Sequence, residues 1–416
     1  MQTIETISWV VRILALLAGA CYLYQLVYLF IPFFKKHKPH KPAQRKRYAV
    51  LIAARNEERV LPSLLDSIAA QDYPAELVRV YVCADNCTDR TAAVARQRGA
   101  TVFERNDTRN IGKGYALHFL LENIDPASYD VCLVIDADNV LEPDYIRQIN
   151  RSFSDGYEAA CGYRNSMNFL DNWISSGYAL WYLHDCVHLN QSRMLLGVSC
   201  CPNGTGFGFT RELIERCGGW NFFTLTEDIE FDNWCAVNGV KIGYCPDAML
   251  YDEQPTTFAV SWRQRTRWMQ GSIQLSVKYG GKLLRGMFRN KGSRYECFEA
   301  MSVSIFGYGI TVFLMLAVTA LTLLTIPANM RIVLLLASLL LIYLGLFIVG
   351  AITMATEWKK IHGPASRKIA CMFTFPLFMV TYVPVAICAP FQKFQWKPIE
   401  HTGDTSAIPR KEENIG

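Results

Sequence analysis

Four groups of residues in this 416-residue chain have types and spacings suited to chemistry on a charged ligand. Asp85 closes the run Val-Tyr-Val-Cys-Ala-Asp. Asp136-Ala137-Asp138 follows Val-Cys-Leu-Val-Ile. Thr226-Glu227-Asp228 comes after a glycine-rich stretch, and Gln264-Arg265-Thr266-Arg267-Trp268 lies in a segment rich in arginine and aromatics. Two carboxylates one residue apart at a strand end can meet a hard divalent cation. Mg²⁺ and Mn²⁺ take oxygen ligands, usually one or two carboxylates together with substrate phosphates. An isolated Asp-x-Asp is more often a turn or helix cap, so the surrounding elements decide between the two readings.

Other groups point to less. Asn203-Gly204-Thr205-Gly206-Phe207-Gly208 would let backbone approach a ligand, but it lacks the lysine and Ser/Thr of a phosphate loop. His184 and His188 are four apart, as a metal pair on a helix would be. No third ligand follows at suitable spacing, so a structural or acceptor-side helix is expected. The 14 cysteines form no Cys-x-x-Cys pair and no zinc spacing; free thiols in a reducing compartment are expected.

The elements that must position these residues alternate. Residues 48–53, 78–83, 101–103 and 130–135 read as short apolar strands. Between them, Val60, Leu61, Leu64, Leu65 and Ile68 recur at helical spacing, and helices are expected at about 90–98 and 113–123. Strands alternating with helices predict an α/β fold with a parallel sheet. Ligands of such sheets bind beyond the carboxyl ends of the strands, where Asp85 and Asp136-Ala137-Asp138 stand.

Composition adds a membrane. The chain is 51% hydrophobic and 19% charged, against about 25% charged in an average soluble domain, and its mean hydropathy is +0.11. Ile13 to Phe34 carries no charge and is long enough for one span. Seven basic residues and no acid follow between Lys35 and Arg47, which places the middle of the chain on the cytoplasmic side. Met301–Met330, Ile332–Thr356 and Ile369–Gln392 are uncharged as well. The last carries Pro376, Pro384 and Pro390, so a kinked, re-entrant or interfacial segment is open there. Lys278, Lys282, Arg285 and Arg289 among apolar residues suggest an interfacial helix. The net charge of +5 therefore reads as membrane-flanking, with no nucleic-acid partner.

Taken in order, Asp85, Asp136-Ala137-Asp138, Thr226-Glu227-Asp228 and Gln264-x-x-Arg267-Trp268 resemble the motifs of membrane-integrated family 2 glycosyltransferases, the group of cellulose, chitin, hyaluronan and poly-N-acetylglucosamine synthases. Ala54 to Glu58 and Gly112-Lys113-Gly114 also match family positions. The resemblance implies a GT-A domain inserted between transmembrane helices. The expected layout is an N-terminal span at 1–34, a basic linker at 35–47 and the cytosolic catalytic domain at 48–254. Then come QxxRW and interfacial helices at 255–297, three membrane segments at 298–392 and a polar tail at 393–416.

It further implies that Asp85 contacts uridine, that Asp138 ligates Mg²⁺ or Mn²⁺, and that Asp136 supports the diphosphate directly or through that ion. Asp228 would be the general base, with Glu227 beside it. Lys113 would approach the nucleotide, unless it is only a solvated charge. Gln264 belongs to the box in which Arg267 would hold diphosphate and Trp268 would face the acceptor sugar. Trp396 and Thr402 resemble tail positions of some synthases. The implied activity is inverting transfer from a UDP-sugar, UDP-N-acetylglucosamine first, to a growing β-linked polysaccharide at the cell membrane, with a possible accessory or export subunit. Transfer of one or a few sugars to a membrane lipid is the alternative.

Overall fold

The structure is a computed structural model and describes residues 2–36, 40–289, 293–303 and 311–392. Trp396, Thr402, the tail and part of the Met301–Met330 stretch lie outside the described residues.

A helix, α1 (Gln2–Phe34), leads to the α/β region. There β1 (Tyr48–Ala54), α2 (Leu61–Ala69), β2 (Val78–Asp85), α3 (Thr91–Gln97), β3 (Thr101–Arg105), α4 (Lys113–Asn123), β4 (Val131–Val134), β5 (Val140–Leu141) and α5 (Tyr145–Asp155) follow in order. The second half has β6 (Ala159–Ser166), α6 (Trp173–His184), a π-helical turn at Asp185–Asn190, α7 (Gln191–Leu196), β7 (Phe207–Thr210), α8 (Arg211–Arg216), α9 (Glu227–Asn238) and β8 (Ile242–Asp252). A long α10 (Phe258–Arg289) and α11 (Arg294–Met301) precede α12 (Thr311–Thr325), α13 (Ala328–Thr356), α14 (Ala365–Val380) and α15 (Tyr382–Cys388).

All eight strands form one sheet in the order β3-β2-β1-β4-β7-β6-β8-β5. The expected parallel pairing holds for β3, β2, β1 and β4. Beyond β4 the sheet is mixed: β7 runs antiparallel to both β4 and β6, β6 is parallel to β8, and β5 is antiparallel to β8. Successive strand side chains point to opposite faces, and both faces are covered. Ala49, Leu51, Cys132 and Val134 pack with Leu117, Leu180, Leu213 and Phe231 on one side. Tyr48, Val50, Ile52 and Leu133 pack with Leu61, Leu64, Ala95 and Ile149 on the other. This is why the strands read as unbroken apolar runs rather than alternating ones. The 13 described cysteines are free thiols.

The Gln264–Trp268 segment and the basic amphipathic stretch expected after it are one continuous helix, α10, of 32 residues. Leu275, Tyr279 and Leu283 bury one of its faces with Ala236, Cys297 and Ala300, while Val277 and Phe288 stay exposed. The stretch at 369–392 is bent. Helix α14 ends at Val380 and α15 packs beneath α10, where Gln270 Nε2 donates to the carbonyls of Ala389 (3.0 Å) and Gln392 (2.6 Å). Among the described residues, Ala328–Thr356 and Ala365–Phe391 are long and apolar enough to cross a bilayer, at 29 and 27 residues. Helix α14 reaches the α/β region through α6. A Cβ on Gly177 would lie 2.2 Å from the Phe378 ring, so glycine is what permits this contact.

Candidate active site

The predicted site residues converge on one cavity of about 1180 Å³ at the carboxyl ends of β1, β2 and β4. Asp85, Lys113, Asp136, Asp138, Glu227, Asp228, Gln264, Arg267 and Trp268 all line it. None of the residues singled out for the site falls elsewhere.

The loops after β1 and β2 form its first wall. Each turns through an asparagine with positive φ, Asn56 at 61° and Asn86 at 53°, a conformation that asparagine tolerates better than most side chains. The loops are tied together, because Thr88 N donates to Asn56 Oδ1 at 2.8 Å and Glu57 N to Thr91 Oγ1 at 2.8 Å. Asp85 sits where they meet. Its Oδ1 accepts from Arg105 Nη1 at 2.7 Å and from Asn86 Nδ2 at 2.9 Å. Burial raises the Asp85 carboxyl above its ordinary value, against the pull of Arg105. Arg105 itself is anchored by Asp107 and the Asn110 carbonyl. A sequence signal for Arg105 existed, as a basic residue ending a strand beside Asp85, but pairing across β2 and β3 was needed to use it.

The centre of the cavity is organised by Lys113 at the start of α4. Its ammonium contacts Asp136 Oδ1, donates to the Gly204 carbonyl at 2.6 Å, and stands 3.9 Å from Glu227 Oε1. Burial opposes its charge, but Asp136 and Glu227 outweigh that and its pKa is raised. Lys113 is therefore no solvated surface charge. Gly204 holds φ at +83°, and an added Cβ would stand 3.8 Å from Asp228 Oδ2. The glycine-rich stretch thus brings backbone, rather than a phosphate loop, between Lys113 and Asp228.

Asp136 is placed by its backbone N–H on Thr205 Oγ1 (2.9 Å). Asn139 Nδ2 donates to Asp138 Oδ1 (3.2 Å) and to Asp252 Oδ1 (3.1 Å), joining the acid pair to the end of β8. Asp252 in turn binds Arg164, whose Nη1 donates to the Asn203 carbonyl at 2.6 Å. Asp252 and Arg164 went unread in the sequence; Asp252 also ends a strand, but β8 was not anticipated.

Glu227 and Asp228 open α9, where a helix N-terminus favours negative charge. Desolvation nevertheless pushes the Glu227 carboxyl up to about 7 and raises Asp228, while Lys113 pulls both down. Helix α10 clamps this turn. Gly271 lets Thr226 approach so closely that a Cβ would lie 2.5 Å from Thr226 Oγ1, and Leu225 N donates to Gln274 Oε1 at 2.9 Å. Residues at i, i+3 and i+4 share a helix face, so Gln264, Arg267 and Trp268 all look into the cavity, and Trp268 stands edge-on to Tyr178 at 5.9 Å. Gln264 Oε1 is buried without a protein partner, as a ligand-binding amide would be. Arg265 points the other way and is fully buried, with Nη1 donating to Thr381 Oγ1 at 2.6 Å and its guanidinium 5.0 Å from the Phe378 ring.

Among the described residues no group of three or more His, Cys, Asp or Glu is arranged to hold a metal by itself. Asp136 and Asp138 still fit a divalent ion that also binds a ligand's phosphates: their donors are all carboxylate oxygen, and Asp136 already holds the Lys113 cation. The histidine pair is structural. His184 Nδ1 lies 3.3 Å from Thr353 Oγ1, and His188 Nδ1 lies 3.0 Å from the Leu29 carbonyl.

Residues 45–271 match the family model described as glycosyltransferase-like family 2. The chain belongs to that family. Its α/β domain is GT-A-like. Over 236 residues it is 28% identical to a β-monoglucosyldiacylglycerol synthase of Synechocystis, covering 55% of this chain and 48% of that protein. Over 239 residues it is 28% identical to a poly-β-1,6-N-acetyl-D-glucosamine synthase of Staphylococcus aureus, covering 55% of each. The chain thus spans about half the length of these curated relatives. Among solved structures, the mannosyltransferase PcManGT of Pyrobaculum calidifontis, in complex with GDP-mannose and Mn²⁺, superposes with a TM-score of 0.55. The match is at 17% identity and covers 93% of this chain and 98% of that one, a likeness of fold.

Proposed function

We propose that this glycosyltransferase moves a sugar from a UDP-sugar to a hydroxyl of an acceptor held at a membrane surface, with inversion at the anomeric carbon. The observation that carries the reading is the arrangement around Lys113: the acid pair Asp136/Asp138 on one side, Glu227 and Asp228 on the other, in one cavity that α10 closes. Asp85 and the stitched loops after β1 and β2 receive the uridine. Asp136 and Asp138 would hold Mg²⁺ or Mn²⁺, which would supply Lewis-acid neutralisation of charge on the diphosphate. Arg267 binds the same diphosphate. Gln264 and Trp268 line the side where the sugars meet.

Asp228 accepts the proton of the acceptor hydroxyl as that oxygen bonds to the anomeric carbon. The bond from that carbon to phosphate breaks, and UDP leaves with the electron pair. The desolvated setting of Asp228 raises its basicity, which suits a base working near neutral pH. Lys113 keeps Asp136 and Glu227 from repelling incoming phosphate.

The membrane setting rests on α13 and the α14–α15 stretch; the uncharged stretches at 13–34 and 301–330 supply further spans, and the basic run at 35–47 puts the catalytic region on the cytoplasmic face. The likeness to the Synechocystis β-monoglucosyldiacylglycerol synthase supports a lipid-held acceptor. Extension of a β-linked polymer remains the second reading, supported by the likeness to the staphylococcal synthase.

The test is to incubate membranes containing the full chain with labelled UDP-sugars and Mg²⁺ or Mn²⁺. A short lipid-extractable product supports the first reading and a polymer the second. Absence of transfer from every UDP-sugar would overturn the donor assignment.

A further inference from the structure

The cavity does not end at Asp228. It continues past Trp181, Tyr182 and Asp185 to Gln25 on α1 and to Ser302 and Val303 after α11. A route therefore connects the reaction centre with the helices assigned to the membrane.

Asp185 stands midway, at the first residue of the π-helical turn between α6 and α7. Such turns re-aim side chains and gather at functional sites. Asp185 is 8% exposed. Its Oδ2 accepts from Asn190 Nδ2 at 2.9 Å and from Asn203 Nδ2 at 2.5 Å. Around Oδ1 the nearest cation is Arg193 Nη1, at 4.0 Å. That guanidinium is already engaged, with Nε on Glu299 at 2.7 Å and Nη1 on Asn190 Oδ1 at 3.0 Å. Oδ1 thus borders the cavity with accepting capacity left over, which a ligand hydroxyl can use. One turn earlier, Trp181 lines the same wall.

The charges choose the ligand. Asp185, Glu227 and Asp228 are acidic, while the cations deepest on this side, Arg193 and Arg164, are matched by Glu299 and Asp252. A phosphate head beside Asp185 would meet a carboxylate and two cations already engaged. A hydroxyl can donate to Asp185, and the ring or carbon backbone that bears it can lie on the indole.

We propose that Asp185 and Trp181 form the acceptor subsite, with Asp185 Oδ1 accepting a hydrogen bond from an acceptor hydroxyl, so that the acceptor head is an uncharged polyol, a sugar or a glyceride, and not a phosphate. The proposal rests on the transfer reaction of the preceding subsection and names its acceptor class.

The experiment uses the full chain in lipid nanodiscs, with the UDP-sugar it turns over. Three acceptors are compared: dioleoylglycerol, octyl β-glucoside and undecaprenyl phosphate. The wild type should use one or both uncharged acceptors and reject the phosphate; the first two arms separate glyceride from sugar. Asp185→Asn should raise the acceptor KM by about tenfold or more, leave the KM for UDP-sugar unchanged, and relax the rejection of phosphate. Trp181→Ala should raise the acceptor KM and Trp181→Phe should restore it. Preference of the wild type for undecaprenyl phosphate overturns the proposal, and so does an Asp185→Asn chain whose acceptor KM is unchanged. The acceptor comparison needs only the wild type, so it decides even if Asp185→Asn fails to fold. Failure of the wild type to transfer sugar to any acceptor, with UDP still bound, would instead sink the transfer reading and this inference with it.

Discussion

The two walls of the cavity are built on different principles. The donor wall is made of short loops at the ends of β1, β2 and β4, and nearly every polar side chain in it is fixed by another a few residues or one strand away. Asp85 with Arg105, and Asn56 with Thr88, are examples. The acceptor wall is made of α6, α9 and α10, and it is fixed from behind by α14 and α15 through rings and buried Arg265. A rigid sheet edge suits a ligand with an invariant shape, such as a nucleoside diphosphate. Helices that share their packing with membrane segments make the acceptor side depend on how those segments sit. The difference teaches that donor and acceptor recognition should fail separately.

The strongest challenge to this division is Asp228→Asn, which acts where the walls meet. Turnover should fall by about a thousandfold, within the range for a lost general base, while UDP binding by calorimetry stays intact. Transfer that survives would remove Asp228 from its role. Next, Asp138→Asn should cut turnover by about a hundredfold by weakening divalent-ion help to the leaving group. Chelation of the wild type should do the same, with recovery on adding Mn²⁺ or Mg²⁺. Both effects should appear in the donor KM and leave acceptor binding alone.

Arg265→Ala probes the opposite wall. It removes two hydrogen bonds, to Ser261 and Thr381, and three ring contacts, costing about 2 kcal/mol of stability. It should lower the thermal midpoint and raise the acceptor KM, with the donor KM unchanged. A rise in donor KM would show the walls to be mechanically one unit.

The smallest effect concerns pH. Burial lifts Glu227 from 4.5 to about 7. The folded state therefore keeps a proton that the unfolded chain releases earlier. The associated stability is present below about pH 4.5 and is lost as pH rises through about 7. Glu227→Gln cannot lose that proton, so its midpoint should gain on the wild type between about pH 5 and pH 8. A constant difference would mean the carboxyl titrates normally.

Much of the donor wall was legible because its cues are local. An apolar run followed by acids marks a strand end, and the parallel pairing of β3, β2, β1 and β4 follows from alternation with helices, though their order does not. The face shared by Gln264, Arg267 and Trp268 follows from helical spacing alone. The mixed half, β6, β7 and β8, was not legible, because antiparallel pairing of β7 with β4 joins residues such as Leu133 and Gly208 that are remote in the chain. The π turn that aims Asp185 left no periodic signal.

Residue types, their order and their local periodicity determined by themselves that acids would stand at strand ends and that apolar helices would flank the domain; that the Arg-Trp segment joins those acids was implied by the family resemblance. Tertiary structure alone decided that Lys113 lies between Asp136 and Glu227, that Arg265 turns from the cavity while Arg267 faces it, and that one cavity runs on to α1. The reason is physical. Periodicity fixes which side of an element a residue occupies, but which distant charge or ring it meets there depends on long-range closure of the chain, whose contacts form only when the whole core packs.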